Sequence, residues 1–249
     1  MPDIKAIGFD LFNTLIVIEP DTLIHAMQRM LKSLKGCGFS IEDSSYIRDY
    51  KNAASIYVAR ARQDGIETHN SIWVSHVLNN YGIEILPYDE RIKNAVDDYF
   101  SAFYDRVSLI PGTLETLAML KKNYRLGLLS NFTHAPAARE ILLRTGLAPC
   151  FDTILISGEL GYRKPHQIVF EELSKGLGVE KKEIIFTGDD PEPDIHGASR
   201  AGLVPVWFTY IIDNEVPAIK GTIQSEITEP DIEVPRASSW QQFISLILD

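Results

Sequence analysis

Cysteine is scarce in this chain: 249 residues hold two, Cys37 and Cys150. That excludes a disulfide framework, and neither residue has the neighbours of a metal pair or a nucleophile, so both are expected to be structural thiols in a reducing compartment. An excess of basic charge is lacking too. There are 24 Lys and Arg against 34 Asp and Glu, a formal charge of −10, and no cationic stripe interrupts that balance. Broad phosphate-backbone binding needs clustered cations, so no nucleic-acid partner is expected. No apolar run approaches the roughly eighteen residues of a membrane-spanning helix. The first residues, Met-Pro-Asp-Ile-Lys, carry an acid where a signal peptide would be apolar. The sequence therefore predicts a soluble cytoplasmic protein, monomer or homodimer, without a membrane partner. Internal repeats and low-complexity tracts are missing as well.

What is present is ordinary globular composition, 45% hydrophobic and 23% charged, enough for one large domain or a core with a subsidiary unit. The stretch Lys5-Ala-Ile-Gly-Phe-Asp-Leu-Phe-Asn-Thr-Leu15 reads as a short buried strand that delivers Asp10 to a turn. Leu23, Met27, Met30, Leu31 and Leu34 then recur at helical spacing up to Gly36 and Gly38. Ser40 is positioned to cap a second helix ending at Gly65, with Ile47, Ala54, Val58 and Ala61 inward. A third segment, 70–81, puts Trp73, Val77 and Tyr81 on one face, and a fourth, 88–106, does so for Ile92, Val96, Tyr99 and Phe103.

From Ile110 strands and helices alternate. Helices are predicted after Pro111-Gly112, over 135–145, over 166–177, up to Ala201, and after Ser239. Strands are predicted at 126–129, 153–156, 183–187 and 204–208. This rhythm implies right-handed crossovers and an α/β, doubly wound parallel sheet that the first strand must join. The segment from Tyr210 to Pro235, rich in Pro, Asp and Asn, reads as an irregular excursion.

Asp10, Ser130, Asp189 and Asp194 all lie at or just beyond the ends of predicted strands, and parallel strands bring those ends to one edge. Each also has a plainer reading. Asp10 could cap its turn, and Asp189-Asp190-Pro191-Glu192-Pro193-Asp194 could be a proline-stiffened loop of solvated charges. Lys164, before Pro165, could be an exposed loop lysine. Converging carboxylates would repel, and a hard divalent cation with oxygen ligands, Mg²⁺, relieves that. Lys164 would add a point cation able to reach both Asp10 and a bound phosphoryl oxygen.

Taken in order, these motifs resemble those of the haloacid dehalogenase superfamily, whose members are mostly phosphohydrolases. Asp10-Leu-Phe-Asn-Thr-Leu15 is similar to the first motif and Leu128-Leu-Ser-Asn131 to the second. Lys164 in Arg163-Lys-Pro165 is similar to the third, and Gly188-Asp189-Asp190-Pro-Glu-Pro-Asp194 to the acidic fourth. The resemblance implies Asp10 as nucleophile, Ser130 on a transferring oxygen, Lys164 as the cation, and Thr14 hydrogen-bonded within its loop. It further implies Mg²⁺ on Asp10, Asp189 and the backbone carbonyl of Phe12, supported by Asp194 and Asp190. Phe12, Thr14 and Asn131 would meet a small, anionic substrate. Residues 1–16 and 107–249 would form a Rossmann-like catalytic core, and 17–106 would be a four-helix cap that selects the substrate.

The chain departs from that pattern at one position. Phosphatases of the superfamily usually carry a second aspartate two residues after the nucleophile as general acid and base, and here that residue is Phe12. Loss of a positioned acid or base can cost about 10² to 10⁴ in rate. An aromatic residue there resembles the 2-haloacid dehalogenases, in which halide leaves without a proton. The expectation is a Mg²⁺-dependent phosphohydrolase, with a dehalogenase as the alternative and an inactive phosphate-binding or partner-binding module as a third reading. His134, His166 and Asp190 are the candidates to replace the missing acid. In the cap, Arg48, Lys51, Arg60, Arg62, His69 and Trp73 are the groups able to meet a substrate, each with a competing solvated or core role.

Overall fold

The computed structural model describes residues 3–217 and 229–248. Its first strand, β1 (Ala6–Phe9), is buried along its whole length. After a turn come β2 (Ile16–Ile18) and four helices, α1 (Thr22–Gly36), α2 (Asp43–Asp64), α3 (Asn70–Asn80) and α4 (Glu90–Ser101). β3 (Val107–Leu109) leads into α5 (Thr113–Leu120), β4 (Arg125–Ser130), α6 (Ala135–Arg144) and β5 (Thr153–Ile156). The short α7 (Ser157–Leu160), α8 (Gln167–Leu177) and β6 (Ile184–Gly188) follow. A π-helical turn over Pro191–His196, α9 (Gly197–Ala201), β7 (Val204–Phe208), α10 (Tyr210–Asp213), β8 (Arg236–Ala237) and α11 (Trp240–Leu248) complete the described chain.

Six strands form one sheet in the order β5-β4-β1-β6-β7-β8, with every neighbouring pair parallel. This is the expected doubly wound α/β sheet. β1 sits near its centre, and its side chains alternate between the two faces as strand geometry requires. Ile7 and Phe9 join one apolar cluster with Phe151, Trp240 and Phe243. Ala6 joins the other with Val169, Phe170, Leu173 and Phe186. A Cβ on Gly8 would come within 2.8 Å of both Leu173 and Phe186, so the absent side chain is what lets α8 lie against this strand. Burial of each large apolar side chain contributes about 1.5–3 kcal/mol, which fixes the strand in register at both faces.

The four helices leave and re-enter through β2 and β3, which pair antiparallel with Ile16 opposite Leu109 and Ile18 opposite Val107. Inward residues of the helices, among them Tyr46, Tyr50, Trp73 and Phe100, belong to the same apolar cluster as Phe9. Gly65 ends α2 in the left-handed region at φ 71°, where glycine carries no Cβ penalty. The N-terminal cap of α2 is Glu42 rather than Ser40. The Glu42 carboxylate accepts from Ser44 N (2.9 Å) and Ser45 N (2.8 Å), and bonds from Ser44 hold its pKa down at about 2. Ser40 lies three residues before the first residue of the helix, outside the capping position.

The excursion expected from Tyr210 begins instead as α10, and residues 218–228 lie outside the described residues. Both cysteines are free, but Cys37 is exposed and so not a core thiol. Among the described residues no helix is long and apolar enough to cross a membrane.

Candidate active site

Parallel register brings three strand ends level: Phe9 lies opposite Leu128 on β4 and Thr187 on β6. Asp10 follows β1 with its N–H donating to Thr187 O at 2.9 Å, Ser130 closes β4, and Asp189 follows β6. The acidic segment after Asp189 winds as a π-helical turn rather than a solvated loop, and it returns Asp194 to the strand end. Asp190 N donates to Asp194 Oδ2 at 3.0 Å and holds that return. Lys164 reaches in from the loop between α7 and α8. Its Nζ donates to Asp10 Oδ1 at 2.6 Å and lies 2.7 Å from Asp194 Oδ1.

Oxygens of Asp10, Asp189 and Asp194 all lie within 4.8 Å of one another. Lys164, Asp189 and Asp194 are 2%, 4% and 1% exposed, so water screens little of this charge. One ammonium faces three carboxylates. Burial pushes the Asp10 carboxyl up to about 7, with Lys164 opposing and Asp194 adding to the rise. Burial likewise lifts Asp189 well above the usual carboxylate range, reinforced by the charges of Asp10 and Asp194. Asp190 rises to about 6 through burial and Asp194. For Lys164, burial disfavours the charged form, but Asp10 and Asp194 outweigh it and its pKa rises.

These residues fit a hard divalent cation. The donor set is all carboxylate oxygen, it carries more negative charge than Lys164 neutralises, and the buried Asp189 Oδ2 has no hydrogen-bond donor. Carboxylate oxygen suits Mg²⁺, as it does Ca²⁺ and Mn²⁺.

The remaining sequence candidates fall in different places. Ser130 Oγ is buried beside the acids and has no partner. Asn131 is engaged: Nδ2 donates to Lys164 O (2.9 Å) and Oδ1 accepts from Lys164 N (2.8 Å), so it grips the backbone that carries the lysine. Thr14 does not make the hydrogen bond expected within its loop, because its hydroxyl is fully buried and unpartnered. It also does not line the cavity described below. Phe12 stacks on Phe132, ring centroids 4.9 Å apart. His134 and His166 cap α6 and α8, accepting from Ala137 N and Ile168 N. Neither lines the cavity, whereas Asp190 does.

Two contributors escaped sequence reasoning. Asn13 takes the left-handed conformation at φ 62°, which Asn tolerates, and lines the same cavity as Asp189. An Asn in a turn after a strand is the signal that could have found it. Trp207 Nε1 donates to Asp189 O at 3.0 Å, and nothing local in the sequence marks that contact.

A cavity of about 560 Å³ opens over the acids. Of the cap groups singled out, Arg62 and Trp73 line it, while Arg48, Lys51, Arg60 and His69 do not. Arg48 pairs with Asp49 at 2.9 Å, and His69 Nδ1 faces Thr133 O at 3.1 Å.

The chain is similar to known proteins. The chain is 30% identical to glyceraldehyde 3-phosphate phosphatase of Pyrococcus abyssi over 50% of its own length and 53% of the relative's, so it spans about half the length of that curated relative. It is 29% identical to ribulose-1,5-bisphosphate 5-phosphatase of Halopiger xanaduensis over 82% of this chain and 84% of that one. Among solved structures, a 2-haloacid dehalogenase from Pseudomonas syringae superposes with a TM-score of 0.67, covering 98% of each chain at 21% identity, a likeness of fold. The model of the haloacid dehalogenase-like hydrolases matches residues 4–202, and the chain belongs to that hydrolase family.

Proposed function

We propose that this hydrolase is a Mg²⁺-dependent phosphohydrolase of a small phosphorylated metabolite, working through a covalent intermediate on Asp10. The observation that carries the reading is the buried cluster of Asp10, Asp189 and Asp194 around a single lysine. A carboxylate that displaces halide at carbon gains nothing from further acids beside it. One that attacks a phosphate dianion needs cationic charge, and this cluster is built to hold it. The relatives from Pyrococcus and Halopiger, both phosphatases by name, support the same substrate class.

In this reading Asp10 attacks phosphorus in line. Lys164 keeps Asp10 oriented through Oδ1 and, with Ser130 Oγ, takes charge developing on the phosphoryl oxygens. Asp10, Asp189 and the Phe12 carbonyl would hold Mg²⁺, with Asp194 and Asp190 in support, and the bound ion would neutralise substrate phosphate charge. Asn131 acts through the Lys164 backbone. Water then cleaves the aspartyl phosphate at phosphorus. Helices α1 to α4, within residues 17–106, serve as the cap, hinged on the β2–β3 pair, and residues 1–16 and 107–249 as the catalytic core.

The test is hydrolysis of 4-nitrophenyl phosphate with Mg²⁺, with EDTA, and in Asp10→Asn. Turnover should stop in the last two, and turnover that persists in EDTA would refute the metal-dependent mechanism. Phe12 favours a second reading, a 2-haloacid dehalogenase, because the residue has no proton to give. That reading predicts metal-independent chloride release from 2-chloropropionate, lost in Asp10→Asn, and no chloride under any condition removes it.

A further inference from the structure

The phosphohydrolase reading leaves the leaving group unspecified, and the wall of the cavity bears on it. Phe12, Trp73, Tyr99, Phe100, Phe103 and Phe132 line the same space as Asp10 and Lys164. Their rings pack on one another: Phe100 meets Phe132 edge-on at 5.2 Å, and Phe103 does so at 5.9 Å. Two polar side chains in this wall, Trp73 and Asn70, are already committed to the protein. Trp73 Nε1 donates to Thr68 Oγ1 (2.9 Å), Asn70 Nδ2 donates to Tyr50 OH (2.7 Å), and Asn70 Oδ1 accepts from Thr133 Oγ1 (2.5 Å). Arg62 and Arg163 line the cavity as well, Arg163 being held by Glu67 at 3.2 Å.

Resting on that reading, we infer that the cavity selects an aromatic ligand: the substrate is the phosphate monoester of a phenol rather than of a polyol. A sugar or triose placed against these rings would give up hydrogen bonds to water without replacing them, at a cost of roughly tenfold in affinity for each hydroxyl left unpaired. An aryl ring instead gains edge and face contacts of the kind the wall already makes with itself. At about 560 Å³ the cavity also exceeds what a three-carbon skeleton fills and falls in the range that encloses ring-sized ligands.

Phe12 supplies the second, independent argument. An alkoxide needs a proton as it departs; Phe12, two residues beyond Asp10, cannot give one, and of the other candidate donors Asp190 alone lines the cavity. A phenolate needs none. As the Asp10 oxygen bonds to phosphorus, the P–O(aryl) bond breaks with its electron pair going to the aryl oxygen, and the phenolate takes a proton from solvent afterwards. Water then attacks phosphorus, which releases phosphate and restores the Asp10 carboxylate.

The experiment uses the wild-type protein with Mg²⁺ and has two arms. Calorimetric binding compares phenylphosphonate with 2,3-dihydroxypropylphosphonate, and turnover compares phenyl phosphate with glycerol phosphate. The aryl phosphonate should bind at least about tenfold more tightly, and phenyl phosphate should have the higher kcat/KM. Equal binding, or tighter binding of the dihydroxypropyl compound, overturns the inference whatever the turnover shows. Tight aryl binding without hydrolysis of any ester upholds the aromatic selection and contradicts the phosphohydrolase reading instead.

Discussion

Gly188 and Asp194 pack so closely that a Cβ on Gly188 would overlap the Asp194 carboxyl group. The last residue of β6 is bare so that the π-helical turn can fold Asp194 back onto the strand end, where it meets Lys164 and Asp190 N. Gly188→Ala must push that carboxyl away and break both contacts. The expected result is a loss of about 1–3 kcal/mol from overpacking and a 10- to 100-fold fall in Mg²⁺ affinity or activity, as for the loss of a group that supports a metal site. Thermal unfolding and a Mg²⁺ titration of activity check both figures, and wild-type values in both would show that Asp194 is not needed where it stands.

Asn131 is expected to act through Lys164. Asn131→Ala removes both hydrogen bonds to the Lys164 backbone, for roughly 1–3 kcal/mol of stability, and frees the loop that aims the lysine. Turnover should fall in kcat by about 10- to 100-fold while KM changes little, because the lysine acts on charge that develops in the transition state. A rise in KM at unchanged kcat would instead mark Asn131 as a substrate contact.

Acidity should control how much Mg²⁺ stabilises the fold. Burial raises the folded pKa of Asp10 from 3.8 to about 7 and raises Asp189 as well. The folded state therefore holds protons that the unfolded state has released between those values. Stability from this cluster is fully present below pH 4 and is lost as pH rises towards 7, where the acids ionise against one another. A cation stabilises the ionised form. Addition of Mg²⁺ at about a hundred times its dissociation constant should add about 2.7 kcal/mol at pH 8, a Tm increase of about 5–10 °C, and much less at pH 5. Differential scanning calorimetry at the two pH values checks this, and an equal shift at both would separate Mg²⁺ binding from these acids.

Phe12→Asp places a proton donor two residues beyond Asp10, the proposed nucleophile. Hydrolysis of alkyl phosphates, whose leaving groups need that proton, should rise by about 10²-fold, with little gain on 4-nitrophenyl phosphate. A leaving-group series measured on both proteins tests it. An unchanged or lower rate on the alkyl esters means that the missing donor at position 12 is not what limits their hydrolysis.

Much of this was legible before any coordinates. The 2.0 and 3.6 periodicities place β1, β4, β6 and most of the helices, and parallel pairing alone carries Asp10, Ser130 and Asp189 to one edge. What stayed hidden depends on partners distant in sequence or on very short elements. β2 and β3 are three residues each and pair across some ninety residues, and β8 is two residues long. No local pattern announces such pairs. Glu42 displaces Ser40 as a cap because a longer side chain folds back onto its own helix, which residue preference does not foresee. Periodicity marks Trp73, Tyr99 and Phe103 as inward-facing, but it cannot tell packing against a core from packing against a cavity, and these three do both.

In the proposed mechanism Asp10 attacks phosphorus and water then cleaves the intermediate at phosphorus. Turnover of an activated aryl phosphate in heavy-oxygen water, followed by mass spectrometry of both the released phosphate and the peptide containing Asp10, tests it directly. The label should enter the phosphate, Asp10 should stay unlabelled, and Asp10→Asn should release nothing. Heavy oxygen in the Asp10 carboxyl group would mean that water attacks the aspartyl carbon, as in cleavage of an alkyl ester, and would contradict the account.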